Sequence, residues 1–163
     1  MNFSSPSDDG LQPPWPRAVE PDEGVQISVV VPLYRCESCI EELYRRLTAC
    51  LEAIPVTFEI VLVNDGSPEG DWDVVRRLAG CDRRVKAVNL SRNFGQHYAI
   101  SAGLDHAGGQ WVVVMDGDLQ DPPEAIAALY ARALEGHDIV YGRKPQRNGS
   151  LFKRATSRAF TWL

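Results

Sequence analysis

Asp116, Asp118 and Gln120 stand at alternate positions just past a short apolar run, Trp111-Val112-Val113-Val114-Met115. In extended backbone, alternate side chains project to one side, so two carboxylates and an amide oxygen would share an edge. Three hard oxygen donors on one edge suit Mg²⁺ or Mn²⁺, with positions left open for phosphate oxygens. The plainer reading is a solvated turn, because Asp-x-Asp at a strand end is common. A calcium loop is excluded: counting from Asp116, the sixth position is Asp121 rather than Gly, and the twelfth is Ala127 rather than Glu. Position favours the cation. The acidic group follows a strand well along an alternating strand/helix pattern, and open α/β sheets bind ligands at strand C-termini.

The elements that must hold this group can be read from periodicity. Trp111 to Met115, after Gly108-Gly109, has the pattern of a fully covered strand. Asp121-Pro122-Pro123-Glu124 then opens a helix, with Asp121 as N-cap, Pro at the first position and Glu at the third. That helix runs to about Glu135 and stops at Gly136. Upstream, Ile27–Tyr34 is apolar throughout and reads as a central strand whose pairing ends near Pro32. Ser38 and Glu41 form a capping box for a helix with the stripe Ile40, Leu43, Leu47 and Leu51. Phe58–Asn64 is the second strand and runs into the turn Asp65-Gly66-Ser67-Pro68. A helix from Asp71 to about Ala79, a strand Val85–Leu90 and a helix from Gly95 to about Ala107 follow. Asp138–Tyr141 reads as a fifth strand. This alternation implies βαβ units and a mostly parallel sheet. Neither G-x-G-x-x-G after the first strand nor G-x-x-x-x-G-K-[ST] anywhere is present, so phosphate must be held another way.

A chain of 163 residues, 44% hydrophobic, fits one domain with a real core. Its net charge of −5 argues against nucleic acid as a partner. Cys36 and Cys39 make a formal C-x-x-C, but Cys50 and Cys81 supply no second pair for structural zinc. With no signal peptide, all four are expected to be reduced thiols. No apolar run approaches the roughly 20 residues that span a bilayer. Residues 1–25 are rich in Ser, Pro, Asp and Gly and are expected to be a disordered leader.

The segments VVVPLY, VNDGS, SRNFGQHYAISAGLDHA, VVVMDGDLQDPPE and VYGRK together resemble family 2 glycosyltransferases, in particular the polyprenyl-phosphate branch that includes dolichol-phosphate mannose synthases and undecaprenyl-phosphate sugar transferases. RNFGQH and DLQDPPE are the specific segments, and the resemblance covers Ile27 to Leu163. It implies the GT-A nucleotide-diphospho-sugar transferase fold: an α/β, Rossmann-like, mostly parallel sheet with helices on both faces, here truncated on the acceptor side. Residues 26–149 would be the nucleotide-sugar-binding domain.

The resemblance also implies roles. Pro32, Tyr34 and Glu37 would line the base and ribose pocket, and Asp65 would hydrogen-bond the nucleobase. Asp116, Asp118 and Gln120 would hold Mg²⁺ or Mn²⁺ against a UDP- or GDP-linked sugar, with Asp118 and Arg143 as the catalytic pair and Arg143 meeting a phosphate. Arg35 stands where Asn is common in the family. On their own chemistry, Tyr34 can offer a ring face and Asp65 an acceptor, although strand-end packing and an Asx turn would explain them as well. His97 and His106 read as structural. The implied reaction is inverting transfer to a polyprenyl phosphate, whose anionic oxygen needs no strong general base.

Residues 150–163 place Phe152, Ala155, Ala159 and Leu163 on one helical face beside Lys153, Arg154 and Arg158. This reads as a basic amphipathic helix for a membrane surface, implying a cytoplasmic, peripheral location. A helix packed back on the domain is the alternative. Two competing functions stay open: a non-catalytic nucleotide-sugar-binding module or remnant, and a haloacid-dehalogenase-type phosphohydrolase, whose Asp pair would belong on the first strand. Whether the chain forms a homo-oligomer is left open by the sequence.

Overall fold

A computed structural model describes residues 24–142. The expected leader, all but Gly24 and Val25, and the expected helix at 150–163 lie outside the described residues. The described residues fall into two compact units that part after Ile126.

Four strands build the first unit: β1 (Ile27–Leu33), β2 (Phe58–Asn64), β3 (Val85–Asn89) and β4 (Trp111–Val114). All pairings are parallel and the order is β3-β2-β1-β4. The helices between them are α1 (Glu37–Glu52), α2 (Asp71–Cys81) and α3 (Gln96–His106). The α/β class and parallel sheet are therefore as expected. The chain winds outward from β1 through β2 to β3, then returns to add β4 on the other side of β1. That reversal is a topological switch point, with a crevice at the strand C-termini.

The core follows from the period-2 alternation of two apolar strands. Val30, Val61 and Val63 point to one face and bury against Ala99 of α3, with Val88, Leu90, Ala102 and Ala107 around them. Gly103 allows this close approach, since a Cβ there would fall 2.3 Å from Cγ1 of Val30. On the opposite face the fully buried Val29, Val31, Ile60 and Leu62 require cover. The buried stripe Ile40, Leu43, Leu47 and Leu51 of α1, and Val74 and Val75 of α2, supply it. Each such side chain contributes about 1.5–3 kcal/mol relative to exposure.

At the N-terminal end of the sheet, Glu59 is a buried carboxylate with a complete set of partners. It accepts from Ser28 Oγ (2.7 Å) and the Gly108 N–H (2.7 Å), and pairs with Lys86 Nζ (2.7 Å). Burial pushes its pKa up, but the Gly108 N–H, Lys86 and Ser28 more than offset this, and the net shift is downward. A lowered folded-state value stabilises the fold above the ordinary glutamate range, and this contribution is lost as pH falls through the folded value. The knot ties the start of β4 to β1 and β2, because Gly109 N–H also reaches Ser28 Oγ (2.8 Å).

Several local expectations are corrected. β4 is not fully covered: it pairs with β1 alone among the described strands, and Val112 and Val114 are 41% and 45% exposed. A continuous apolar run does not distinguish a central strand from an edge strand. Pairing ends before Pro32 on the β4 side only, at Val30, whereas the β2 side runs on to Leu33. The Ser38/Glu41 capping box does not form, because α1 starts earlier, after Cys36. Asp71, at the start of α2, takes over the capping by accepting the Cys36 N–H (3.0 Å), and Glu41 pairs with Arg77 instead. After the acidic turn, Pro122 rather than Asp121 is the cap of a short 3₁₀ turn, Pro123–Ala125, and α4 (Ile126–Ala133) follows. Asp138–Tyr141 forms no strand, and Ile139 and Tyr141 are exposed. Four residues are too few to hold an extended segment without a neighbouring ladder.

Candidate functional site

The crevice at the strand C-termini is an open cleft of about 320 Å³. It is lined by the end of β1 (Pro32, Leu33), by Tyr34 and Cys36 beyond it, by Asp65 after β2, by Asn93, Gly95 and Gln96 before and at the start of α3, and by Asp116, Gly117 and Asp118 after β4. Four of the expected substrate-binding positions, Pro32, Tyr34, Asp65 and Asp116, thus share one cavity with Asp118.

Asp65 is 2% exposed. Its Oδ1 accepts the Phe94 N–H (2.8 Å) and its Oδ2 the Gly95 N–H (2.9 Å). The carboxylate clamps the segment between β3 and α3 against the end of β2. Gly66 makes room for this. Its φ is +60°, and a Cβ there would lie 2.3 Å from the Arg92 carbonyl carbon. The same loop is held from its other side by Asn64, whose Oδ1 accepts the Ser67 N–H (3.2 Å) and whose Nδ2 donates to Asn89 Oδ1 (2.7 Å). Glu37 does not line the cleft. Its carboxylate accepts the Gly70 N–H (3.1 Å), so it braces the far end of the 65–70 loop.

The acidic turn departs from the extended register assumed for three oxygens on one edge. The chain bends at Gly117-Asp118, and Leu119 takes a left-handed φ of +63°. Asp118 stabilises the bend by accepting the Gln120 N–H at 3.0 Å. Asp116 and Asp118 are both exposed at the cleft, whereas the Gln120 side chain is not among the lining groups. Asp116 Oδ1 accepts from Gln96 Nε2 at 2.6 Å. The segment after the turn is anchored to α1 by a two-pronged pair in which Arg46 Nε and Nη2 meet the Glu124 carboxylate at 2.9 and 2.6 Å. Arg46 thereby holds the Glu124 pKa down at about 2.

The donor set fits Mg²⁺ or Mn²⁺. Two hard, solvent-facing carboxylates share an open cleft with room for phosphate oxygens, and such ions are commonly held by one or two carboxylates plus substrate phosphates. No group of three or more His, Cys, Asp or Glu poised for a metal occurs among the described residues. Substrate oxygens would have to complete the coordination.

Cys36 is no thiolate. Burial and the Asp71 carboxylate push its pKa up to about 12, and its Sγ donates to Asp71 Oδ2. All four cysteines are free. His106 Nδ1 lies 2.8 Å from the Ala102 carbonyl within α3, in keeping with a structural role. Arg143 lies outside the described residues. Asn93, Gly95 and Gln96 were not assigned roles from the sequence. The signal was there: polar Asn and Gln flank a glycine at the end of a strand and the start of a helix, where a parallel sheet puts its ligands.

The pattern of glycosyl transferase family 2 matches residues 28–163. An uncharacterized glycosyltransferase of Synechocystis sp. is 42% identical over 140 residues, covering 83% of this chain and 43% of that protein. An undecaprenyl-phosphate 4-deoxy-4-formamido-L-arabinose transferase of Salmonella paratyphi A is 38% identical over 139 residues, covering 85% and 42%. This chain therefore spans about two fifths of the length of these curated relatives. Among solved structures, a Pyrobaculum calidifontis mannosyltransferase in complex with GDP-Man and Mn²⁺ superposes with a TM-score of 0.60 at 26% identity, over 85% of this chain and 41% of that one. S. aureus TarS in complex with UDP gives 0.54 at 26% identity, over 75% and 38%.

Proposed function

We propose that this chain, which belongs to glycosyl transferase family 2 and has its GT-A fold, binds a nucleotide-diphosphate sugar in the cleft and serves inverting transfer to a polyprenyl phosphate. The observation that carries this reading is the cleft at the switch point, where Asp65 and the Asp116/Asp118 pair line one cavity. The names of the Salmonella relative and of the mannosyltransferase complex support the acceptor class and the nucleotide donor.

In this reading the base and ribose lie toward Pro32, Tyr34 and Asp65. Asp65 has both oxygens engaged by backbone N–H groups, yet each oxygen keeps a second lone pair for a ring N–H. Asp116 and Asp118 would hold Mg²⁺ or Mn²⁺, with substrate oxygens in place of the Gln120 oxygen expected from the sequence, and Arg143 would meet a phosphate. The ion, when bound, supplies Lewis-acid stabilisation of charge on the departing diphosphate. The lipid phosphate oxygen forms the new bond to the anomeric carbon as the bond to the diphosphate breaks, with the nucleoside diphosphate as leaving group. The acceptor is already anionic, so the protein's task is to orient donor and acceptor and to exclude water. No helix among the described residues is long and apolar enough to cross a membrane. The basic face at 150–163 is proposed to bring the chain to the cytoplasmic membrane surface.

Radiolabelled UDP- and GDP-sugars incubated with the full chain and undecaprenyl phosphate in mixed micelles test this. Label entering the organic phase only with Mg²⁺ or Mn²⁺ is the expected result. Nucleotide binding without any lipid-linked product would reject transfer and leave a nucleotide-sugar-binding module.

A further inference from the structure

Asp116 lies beyond the last paired residue of β4, where no ladder fixes the backbone, and its carboxylate is exposed. An exposed carboxylate at such a place samples several rotamers unless a neighbour selects one. Gln96 is that neighbour. It is the first residue of α3, and its amide nitrogen lies 2.6 Å from Asp116 Oδ1. The amide must present its nitrogen, since its oxygen would face another acceptor.

The position of Gln96 is itself set from elsewhere. Gly95 is the cap of α3, and its N–H and that of Phe94 are both held by the buried Asp65. A chain of contacts therefore runs from the end of β2, through the 93–96 segment, to the end of β4. It joins two sides of the cleft that share no ladder pairing, because β1 lies between β2 and β4.

We infer that Gln96 is a positioning residue for Asp116: it fixes one carboxylate oxygen and turns the other toward the cleft, with Asp65 setting where Gln96 stands. This rests on the proposal that Asp116 holds the divalent cation. A neutral amide suits the task. Lys or Arg there would orient Asp116 equally well but would compete with the cation for its charge. Outer partners of this kind fix the orientation of ligating carboxylates, and their loss commonly lowers metal affinity about 10- to 100-fold.

Mn²⁺ titration followed by the electron paramagnetic resonance of the free ion, at fixed UDP or GDP, tests the inference on wild type, Gln96→Met, Gln96→Ala and Asp116→Asn. Methionine keeps roughly the length and helix preference of glutamine and removes the amide, donor and acceptor together. Both Gln96 variants are expected to weaken Mn²⁺ binding roughly 10-fold or more, while metal-free nucleotide affinity stays within about 2-fold of wild type. Wild-type Mn²⁺ affinity in both Gln96 variants, with a weakened Asp116→Asn, would overturn the positioning role and leave the cation reading intact. Wild-type affinity in Asp116→Asn as well would overturn both. Equal loss of metal-free nucleotide binding in the Gln96 variants would make Gln96 a general support of the cleft and reject a role directed at Asp116.

Discussion

Asp118→Asn is expected to reduce transfer by at least about a thousandfold while leaving the unfolding temperature nearly unchanged, a loss of about 4 kcal/mol of transition-state stabilisation. The two expectations separate because of how Asp118 is placed. It is exposed, and the contact that shapes its turn is the Gln120 N–H at 3.0 Å. The amide oxygen of Asn can accept the same bond, so the bend at Leu119 is preserved. What disappears is negative charge at the point where the cation and the diphosphate are proposed to meet. Initial rates with saturating Mn²⁺, beside a thermal melt, measure both terms. A rate within about 3-fold of wild type would remove Asp118 from the proposed machinery, since a lost ligand charge should cost far more than a lost outer contact.

Asp65→Ala is expected to weaken nucleotide binding by roughly a hundredfold or more, through disorder of the 93–96 segment as well as loss of a base contact. Its carboxylate is buried and holds two backbone N–H groups, at 2.8 and 2.9 Å. Hydrogen bonds to charged groups contribute about 1.5–3 kcal/mol each, so both anchors of the segment go at once. Gly66→Ala should produce a similar loss from the opposite side, because its Cβ would collide with the Arg92 backbone. Amide hydrogen exchange at Phe94 and Gly95, together with calorimetric nucleotide affinity, tests the argument. Weakened binding with unchanged protection at those two amides would show that Asp65 acts on the base alone.

Much of this site was legible because strand ends announce themselves. Apolar runs that stop at Asp65-Gly66 and at Asp116-Gly117 mark two C-terminal edges, and a parallel sheet brings such edges together. The third contributor was harder to see. Asn93 and Gln96 around Gly95 mark a strand-to-helix junction, but that pattern does not say that Asp65, some thirty residues earlier, holds the segment over the cleft. Long-range capping misled the reading of α1 in the same way: the Ser38/Glu41 pattern was sound locally, but the buried Asp71 made an earlier start more stable. The turn after Met115 defeated a simple period-2 count, since one left-handed residue, Leu119, ends the extended register. The exposed face of β4 has another origin, its place at the edge of the described sheet. Hydrophobicity reports a capacity to be covered and does not say which neighbour does so.

Calorimetric titration of the wild-type chain with UDP and with GDP, each with and without Mn²⁺, tests the central claim most directly. One nucleotide should bind, and Mn²⁺ should strengthen its binding. A nucleotide at about a hundred times its dissociation constant should also raise stability by about 2.7 kcal/mol. No binding of either nucleotide under any metal condition would contradict the assignment of the cleft as a nucleotide-sugar site.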